Sequence, residues 1–179
     1  MSKTNLVKIA LLLLFLAGAL FFALHQRPPR PVGPGDSAPD FTLLALGGGS
    51  IALRDFHQQV VVVNFWATWC PPCVDETPSL KKFAEQMRSS GVVVIGVSED
   101  HDRAALERFV TDYHLSYPIA HDLGQTVAAR YGTFKYPETY NIGRDGQIAR
   151  KIVGAIDWQN PHLLSAVQEL TRRGTDTLP

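Results

Sequence analysis

Two valine-rich runs, Val60–Phe65 and Val92–Val97, restrict the folds open to this chain more than any other feature. Neither alternates apolar with polar residues, so each reads as a strand covered on both faces of a sheet. Between them, Pro71 to Ser90 has helical spacing. Val74, Leu80, Phe83, Ala84 and Met87 fall near one face, and Gly91 follows as a left-handed terminator. Two covered strands joined by one helix predict a parallel pair with a right-handed crossover.

The remaining segments build outward from that pair. Phe41–Ala45 and Ser50–Leu53 flank Gly47-Gly48-Gly49 and read as a small hairpin. Asp102 to Tyr113 is an amphipathic helix with Leu106, Phe109 and Val110 inward, and Leu123 to Tyr131 is a shorter one with Asp122 in capping position. Pro118 reads as a strand-edge proline. Glu138–Ile142 and Gln147–Val153 flank Asp145-Gly146, a hairpin turn signal, and a last helix runs from Pro161 to Arg172. The antiparallel hairpin at the end makes the sheet mixed, so the expected class is an α/β sandwich.

The chain divides into an apolar segment over residues 1–24, a proline-rich linker over 25–35, a domain over 36–174 and a tail over 175–179. The run Ile9–Leu24 spans about 24 Å as a helix. Leu6, Val7 and a snorkelling Lys8 extend it towards the roughly 30 Å of a bilayer core. A signal anchor through residues 9–24 and a signal peptide cut after Ala19 both remain open. The apolar residues Leu20–Leu24 beyond that position favour the anchor. The short N-terminal tail then stays inside and the domain is exported. Pro28, Pro29, Pro31 and Pro34 make the linker extended. Seventeen basic residues balance seventeen acidic ones, so nucleic acid is not an expected partner.

The only two cysteines form Cys70-Pro71-Pro72-Cys73. A bridge across so short a loop removes little chain entropy, which favours chemistry over stability as its purpose. The pair falls where a buried strand gives way to a helix. Cys70 sits near the N-cap, where unpaired N–H groups and the helix dipole favour a thiolate. Cys73 lies one turn further on the same face. Cys70 is therefore the attacking sulfur and Cys73 the resolving one. Pro71 and Pro72 suit the first turn but withdraw two N–H donors from Cys70, which tilts the pair towards a reductant. A structural zinc site needs four ligands, and His57, His101, His114, His121 and His162 are scattered. Val74 after the second cysteine excludes haem attachment. Glu99-Asp100-His101-Asp102 looks metal-like in composition but reads as a solvated helix start.

The segment Phe65-Trp66-Ala67-Thr68-Trp69-Cys70-Pro71-Pro72-Cys73 resembles the thioredoxin superfamily, and the likeness covers about Pro39 to Leu170. It implies a thioredoxin-like three-layer sandwich with a mixed central sheet and an added N-terminal β-hairpin. Pro78 lies where that family kinks its helix. Pro137 lies at the family's cis-proline, facing the dithiol, with the Tyr136 backbone pairing a substrate strand. Trp69, Tyr136, Pro137 and Glu138 become expected substrate contacts. Within the superfamily the chain is similar to membrane-anchored extracytoplasmic reductases of the cytochrome c maturation, TlpA and ResA type. The apolar anchor, Ala38-Pro39-Asp40-Phe41, Glu76 and Pro137-Glu138 carry that likeness.

Asn64 stands where ordinary thioredoxins have a buried aspartate, and Glu76 is expected to take over its proton transfer with Cys73. The resemblance implies protein disulfide exchange with no cofactor beyond the redox-active cysteines. Its substrates would be an apocytochrome c or a copper-site protein. The electron donor would be a DsbD or CcdA-type membrane protein. The place would be the periplasmic side of a bacterial inner membrane, held by a single pass. A copper chaperone and a peroxiredoxin-like peroxidase are the alternatives. The C-x-x-C spacing and the absence of a P-x-x-x-T-x-x-C environment tell against them.

Overall fold

The computed structural model describes residues 3–25 and 30–173. The chain separates into two units, one ending at Arg30 and the other beginning at Pro31. The first contains helix α1 (Lys3–His25), whose described side chains from Leu11 to Phe22 are all exposed. The expected span over residues 9–24 includes Ala10, Ala23 and Leu24, whose side chains lie outside the described residues. Among the described residues no helix is long and apolar enough to cross a membrane. Part of the expected linker and the tail over 175–179 also fall outside them.

The second unit has eleven regular elements in the order β1 (Thr42–Ala45), β2 (Ser50–Ala52), β3 (Val60–Trp66), α2 (Pro71–Met87), β4 (Val92–Ser98), α3 (Arg103–Asp112), β5 (Ile119–His121), α4 (Thr126–Tyr131), β6 (Glu138–Ile142), β7 (Ile148–Val153) and α5 (Pro161–Arg173). One sheet takes the order β2-β1-β5-β4-β3-β6-β7. The two valine-rich runs are its parallel centre, in register from Val60 opposite Val92 to Trp66 opposite Ser98. β5 adds to β4 in parallel, while β6 runs antiparallel along β3 and β1 antiparallel along β5.

Alternation along β3 sorts its side chains into two cores. Val60, Val62 and Trp66 pack with Leu80, Phe83 and Met87 of α2, Leu106 of α3, and Leu163 and Val167 of α5. Val61, Val63 and Phe65 pack on the opposite face with Val127, Ala128 and Tyr131 of α4 and with Tyr140 and Ile148. The result is a three-layer sandwich with α2, α3 and α5 on one side and α4 on the other.

Some elements differ from the sequence expectation. β5 is only three residues long and begins directly after Pro118; a run so short, with the polar His121 at its end, carries no periodicity. The shorter helix starts at Thr126, not Leu123. Asp122 still caps it, since its carboxylate accepts from the N–H groups of Thr126, Val127 and Ala128. Residues 31–35 are not a free spacer: Val32 N–H donates to Tyr131 O, and Gly35 N–H to Ile148 O.

Gly96 shows how tightly the central strands are covered. A Cβ at this position would lie 2.9 Å from both Ile119 Cδ1 and Trp66 Nε1, and 3.1 Å from Tyr117 Cε2. Gly96→Ala is expected to cost about 1–3 kcal/mol by overpacking. A urea unfolding midpoint equal to that of the parent protein would contradict this packing.

Candidate functional site

The C-terminal end of β3 leads through Ala67, Thr68 and Trp69 into α2, whose first residue is Pro71. Cys70 is the N-cap, and its backbone is extended (φ −99°, ψ 102°). Its Sγ accepts from the Cys73 N–H at 3.3 Å, and its carbonyl accepts from the N–H groups of Cys73 and Val74. The prolines at the first two helical positions leave Cys73 N–H as the first donor able to reach that sulfur. Cys70 and Cys73 form a disulfide with Cα atoms 5.3 Å apart. Both are buried, at 5% and 1% exposure. Pro78 lies inside α2, where it withdraws one further helix hydrogen bond.

Glu76 is 4% exposed, one turn after Cys73 on the same helix face. Its carboxyl accepts from Asn64 Nδ2 at 2.9 Å and from the Ile156 N–H at 3.1 Å. Asn64 also donates to Thr139 Oγ1 at 2.9 Å, so this amide ties α2 to the middle of the sheet. Burial pushes the Glu76 carboxyl up to about 7, against the opposing pull of the Ile156 and Asn64 donors. Near neutral pH it exists both with and without its proton. Such a group can take a proton from the resolving thiol and return it.

The peptide bond between Tyr136 and Pro137 is cis. Tyr136 packs against the core cluster that contains both cysteines. Its ring meets that of Trp69 edge-on at 5.9 Å. Trp69 itself is 58% exposed, which leaves one face of its indole for another molecule. Phe134, two residues before Tyr136, is also largely exposed.

Glu138 departs from its expected role as a substrate contact. Its side chain has no exposure and pairs with Lys151 Nζ at 2.6 Å. It also accepts from the Tyr140 hydroxyl. The reason is its position as the first residue of β6, opposite Phe65 of the central strand, where every residue is covered.

Glu99 and Asp100 are buried, at 0% and 2% exposure, instead of solvated. Glu99 N–H donates to Trp66 O, which carries the β3–β4 pairing beyond the end of the strand. Among the described residues neither carboxyl oxygen of Glu99 has a hydrogen-bond partner, and burial, then Asp122 and Asp100, push its carboxyl up to about 8. Asp100 accepts from Thr68. His101 and Asp102 are exposed as the sequence implied, and Asp102 caps α3 through the N–H groups of Ala104 and Ala105. No group of His, Cys, Asp and Glu side chains among the described residues could hold a metal ion.

Residues 34–151 match the AhpC/TSA family. A thiol-disulfide oxidoreductase ResA of Bacillus thuringiensis (strain Al Hakam) is 34% identical over 157 residues, covering 86% of this chain and 91% of that protein. A protein of the same name from Halalkalibacterium halodurans is 37% identical over 125 residues, or 70% and 71% of the two chains. A secreted thiol-disulfide isomerase from Corynebacterium glutamicum superposes with a TM-score of 0.69 at 28% identity, over 75% of this chain and 85% of that one. StoA from Bacillus subtilis, at 22% identity and a TM-score of 0.62, covers 75% and 97% and shares the fold.

The raised Glu76 group has a measurable consequence. Between pH 4.5 and about 7 the folded protein keeps a proton that the unfolded chain has released, so stability falls as pH rises through that window. The loss attributable to this group is about 3 kcal/mol. Glu76→Gln should remove that slope, whatever constant offset the lost carboxylate introduces. Urea unfolding of both proteins on either side of the window checks it. Parallel pH profiles would contradict the burial assigned to Glu76.

Proposed function

We propose, for a chain that belongs to the AhpC/TSA family and performs thiol–disulfide exchange through Cys70 and Cys73, that the exchange runs as reduction of protein disulfides outside the cytoplasm. The observation that carries the exchange is the disulfide at a helix N-cap, with a buried carboxyl of pKa about 7 one turn below it.

The cycle balances as follows. Reduced Cys70 attacks one sulfur of a substrate disulfide as the thiolate. A Cys70–substrate disulfide forms and the other substrate sulfur leaves as a thiolate, which takes up a proton. Cys73 gives its proton to Glu76 and attacks Cys70 Sγ. The Cys70–Cys73 bond forms, the second substrate sulfur leaves, and Glu76 can return the proton to it. Two electrons have passed to the substrate. A dithiol donor must return two electrons before the next cycle. Trp69, Tyr136 and Pro137 form the surface that receives the substrate segment.

The direction is supported by charge. Glu76 is a buried carboxyl one turn from Cys73, and in its ionised form it disfavours a second negative charge there. Strong oxidants of this chemistry owe their potential to a stabilised reduced form. A carboxylate one turn from Cys73 and two missing N–H donors work the other way. The location is supported by the apolar run Ile9–Leu24 behind Lys3 and Lys8, which reads as a single-pass anchor. A domain so tethered would meet disulfides of exported proteins, and the paired cysteines of an apocytochrome c fit the short C-x-x-C reach of the dithiol. A copper-site protein offers the same paired sulfurs. Reducing power would come through the membrane from a DsbD or CcdA-type donor.

A Cys73→Ala variant removes the resolving sulfur and should hold a C-x-x-C-H peptide disulfide as a stable adduct on Cys70. Mass spectrometry reads it. An adduct that persists in the Cys70→Ala, Cys73→Ala double variant, or none in the single one, would remove exchange chemistry from the proposal. Acid-quenched alkylation of cells tests the direction: a pair found wholly oxidised at steady state argues for an oxidant.

A further inference from the structure

The carboxylate of Asp100 is 2% exposed, and among the described residues no Lys or Arg forms an ion pair with it. Neutral donors surround it instead. Oδ1 accepts from the Thr68 hydroxyl at 2.5 Å and from the Thr68 N–H at 3.2 Å. Oδ2 accepts from the same N–H at 3.1 Å and from the Ser98 hydroxyl at 2.9 Å. The Ser98 hydroxyl in turn accepts from Asp100 N–H at 3.2 Å. The main chain of Asp100 is held too, with its carbonyl 2.6 Å from His121 Nε2 at the end of β5. Burying a carboxylate without a cation is costly, and only full satisfaction of its oxygens offsets that cost. An amide of the same shape would turn an N–H against one of three donors. The site therefore asks for a carboxylate, and most of its bonds go to one residue.

That residue is Thr68, the midpoint of the three-residue loop between β3 and Cys70. Ala67 before it is fully buried, and its carbonyl accepts from Cys70 N–H at 3.2 Å. Trp69 after it is the exposed wall of the site. Pinning both the N–H and the hydroxyl of Thr68 leaves the loop one conformation, and so one direction for Trp69 and one position for Cys70. We propose that Asp100 is the positioning residue of this site, latching Thr68 to the ends of β4 and β5 so that the Cys70 sulfur and the Trp69 indole meet a disulfide in fixed relation. The proposal rests on the reading of Cys70 as the attacking sulfur.

The test uses the full chain in a Cys73→Ala background, where Cys70 is the only thiol. Two probes are compared. One is a ten-residue peptide closed by a C-x-x-C disulfide, which needs both the sulfur and the tryptophan wall. The other is iodoacetamide, which needs only the sulfur. Asp100→Asn and Thr68→Val should each slow attack on the peptide about tenfold, the scale of a lost hydrogen bond to a charged group. Each should change alkylation less than about twofold. The double variant should be no slower than either single one, because both remove the same latch. Thr68→Ser, which keeps the hydroxyl, should regain most of the peptide rate. Thermal unfolding of each variant confirms that it is folded. Equal slowing with both probes, or additive losses in the double variant, would overturn the latch. Variants matching their parent with the peptide would overturn it alone, whereas a parent that forms no peptide adduct overturns the exchange reading with it.

Discussion

The parallel ladder between β3 and β4 is the reference to which everything else in the domain is set. Its seven rungs run from Val60 and Val92 to Trp66 and Ser98. Strands covered on both faces cannot slip by one residue without turning a whole set of valines from one core to the other. The register is therefore rigid where the chain leaves the sheet. Trp66 delivers the loop that carries Cys70, and Ser98 delivers Glu99 and Asp100 beside it. The reactive sulfurs sit at the end of the ladder because there the backbone is released from the sheet while its starting point stays fixed.

Buried carboxyls surround that end of the sheet and are accommodated differently: Asp122 takes the Thr126, Val127 and Ala128 N–H groups at the start of α4. Glu138 has a lysine, and Glu76 has one amide and one backbone N–H. Asp100 has the donors of Thr68 and Ser98, and Glu99 has none among the described residues. The differences follow from position. Glu138 starts β6, beside the edge strand β7, from which Lys151 reaches it. Glu76 points from α2 towards the middle of the sheet, where only neutral donors are available. Burial then raises the Glu76 and Glu99 carboxyls, and their charge, where present, discourages thiolates nearby. Burial is what lets the Glu76 carboxyl hold a proton near neutrality.

Much of this was legible in the chain. The central strands, the helix between them and the final hairpin were readable because their apolar periodicity is long and unambiguous. The N-cap placement of Cys70 was readable because a strand-to-helix junction imposes that geometry on whatever residue occupies it. β5 was not, since three residues carry no period. The burial of Glu138, expected as a substrate contact, was not readable because it depends on β6 lying against β3, a pairing of residues 73 apart for Phe65 and Glu138. Glu99 and Asp100 were misread for a similar reason. Acids before a helix usually face water, but here the β3–β4 pairing continues one step past the strand and draws them in.

What the sequence by itself determined, then, is the local and periodic part: which of the longer segments are strands or helices, and where the dithiol lies. Those properties depend on residues within a turn or a strand of one another. The tertiary structure alone decided which polar groups are buried and with what. It brought Ile156 N–H to Glu76 across 80 positions and Thr68 to Asp100 across 32. Glu76 and Asp100 keep their places because distant donors converge on them, and that convergence is a property of the folded sheet.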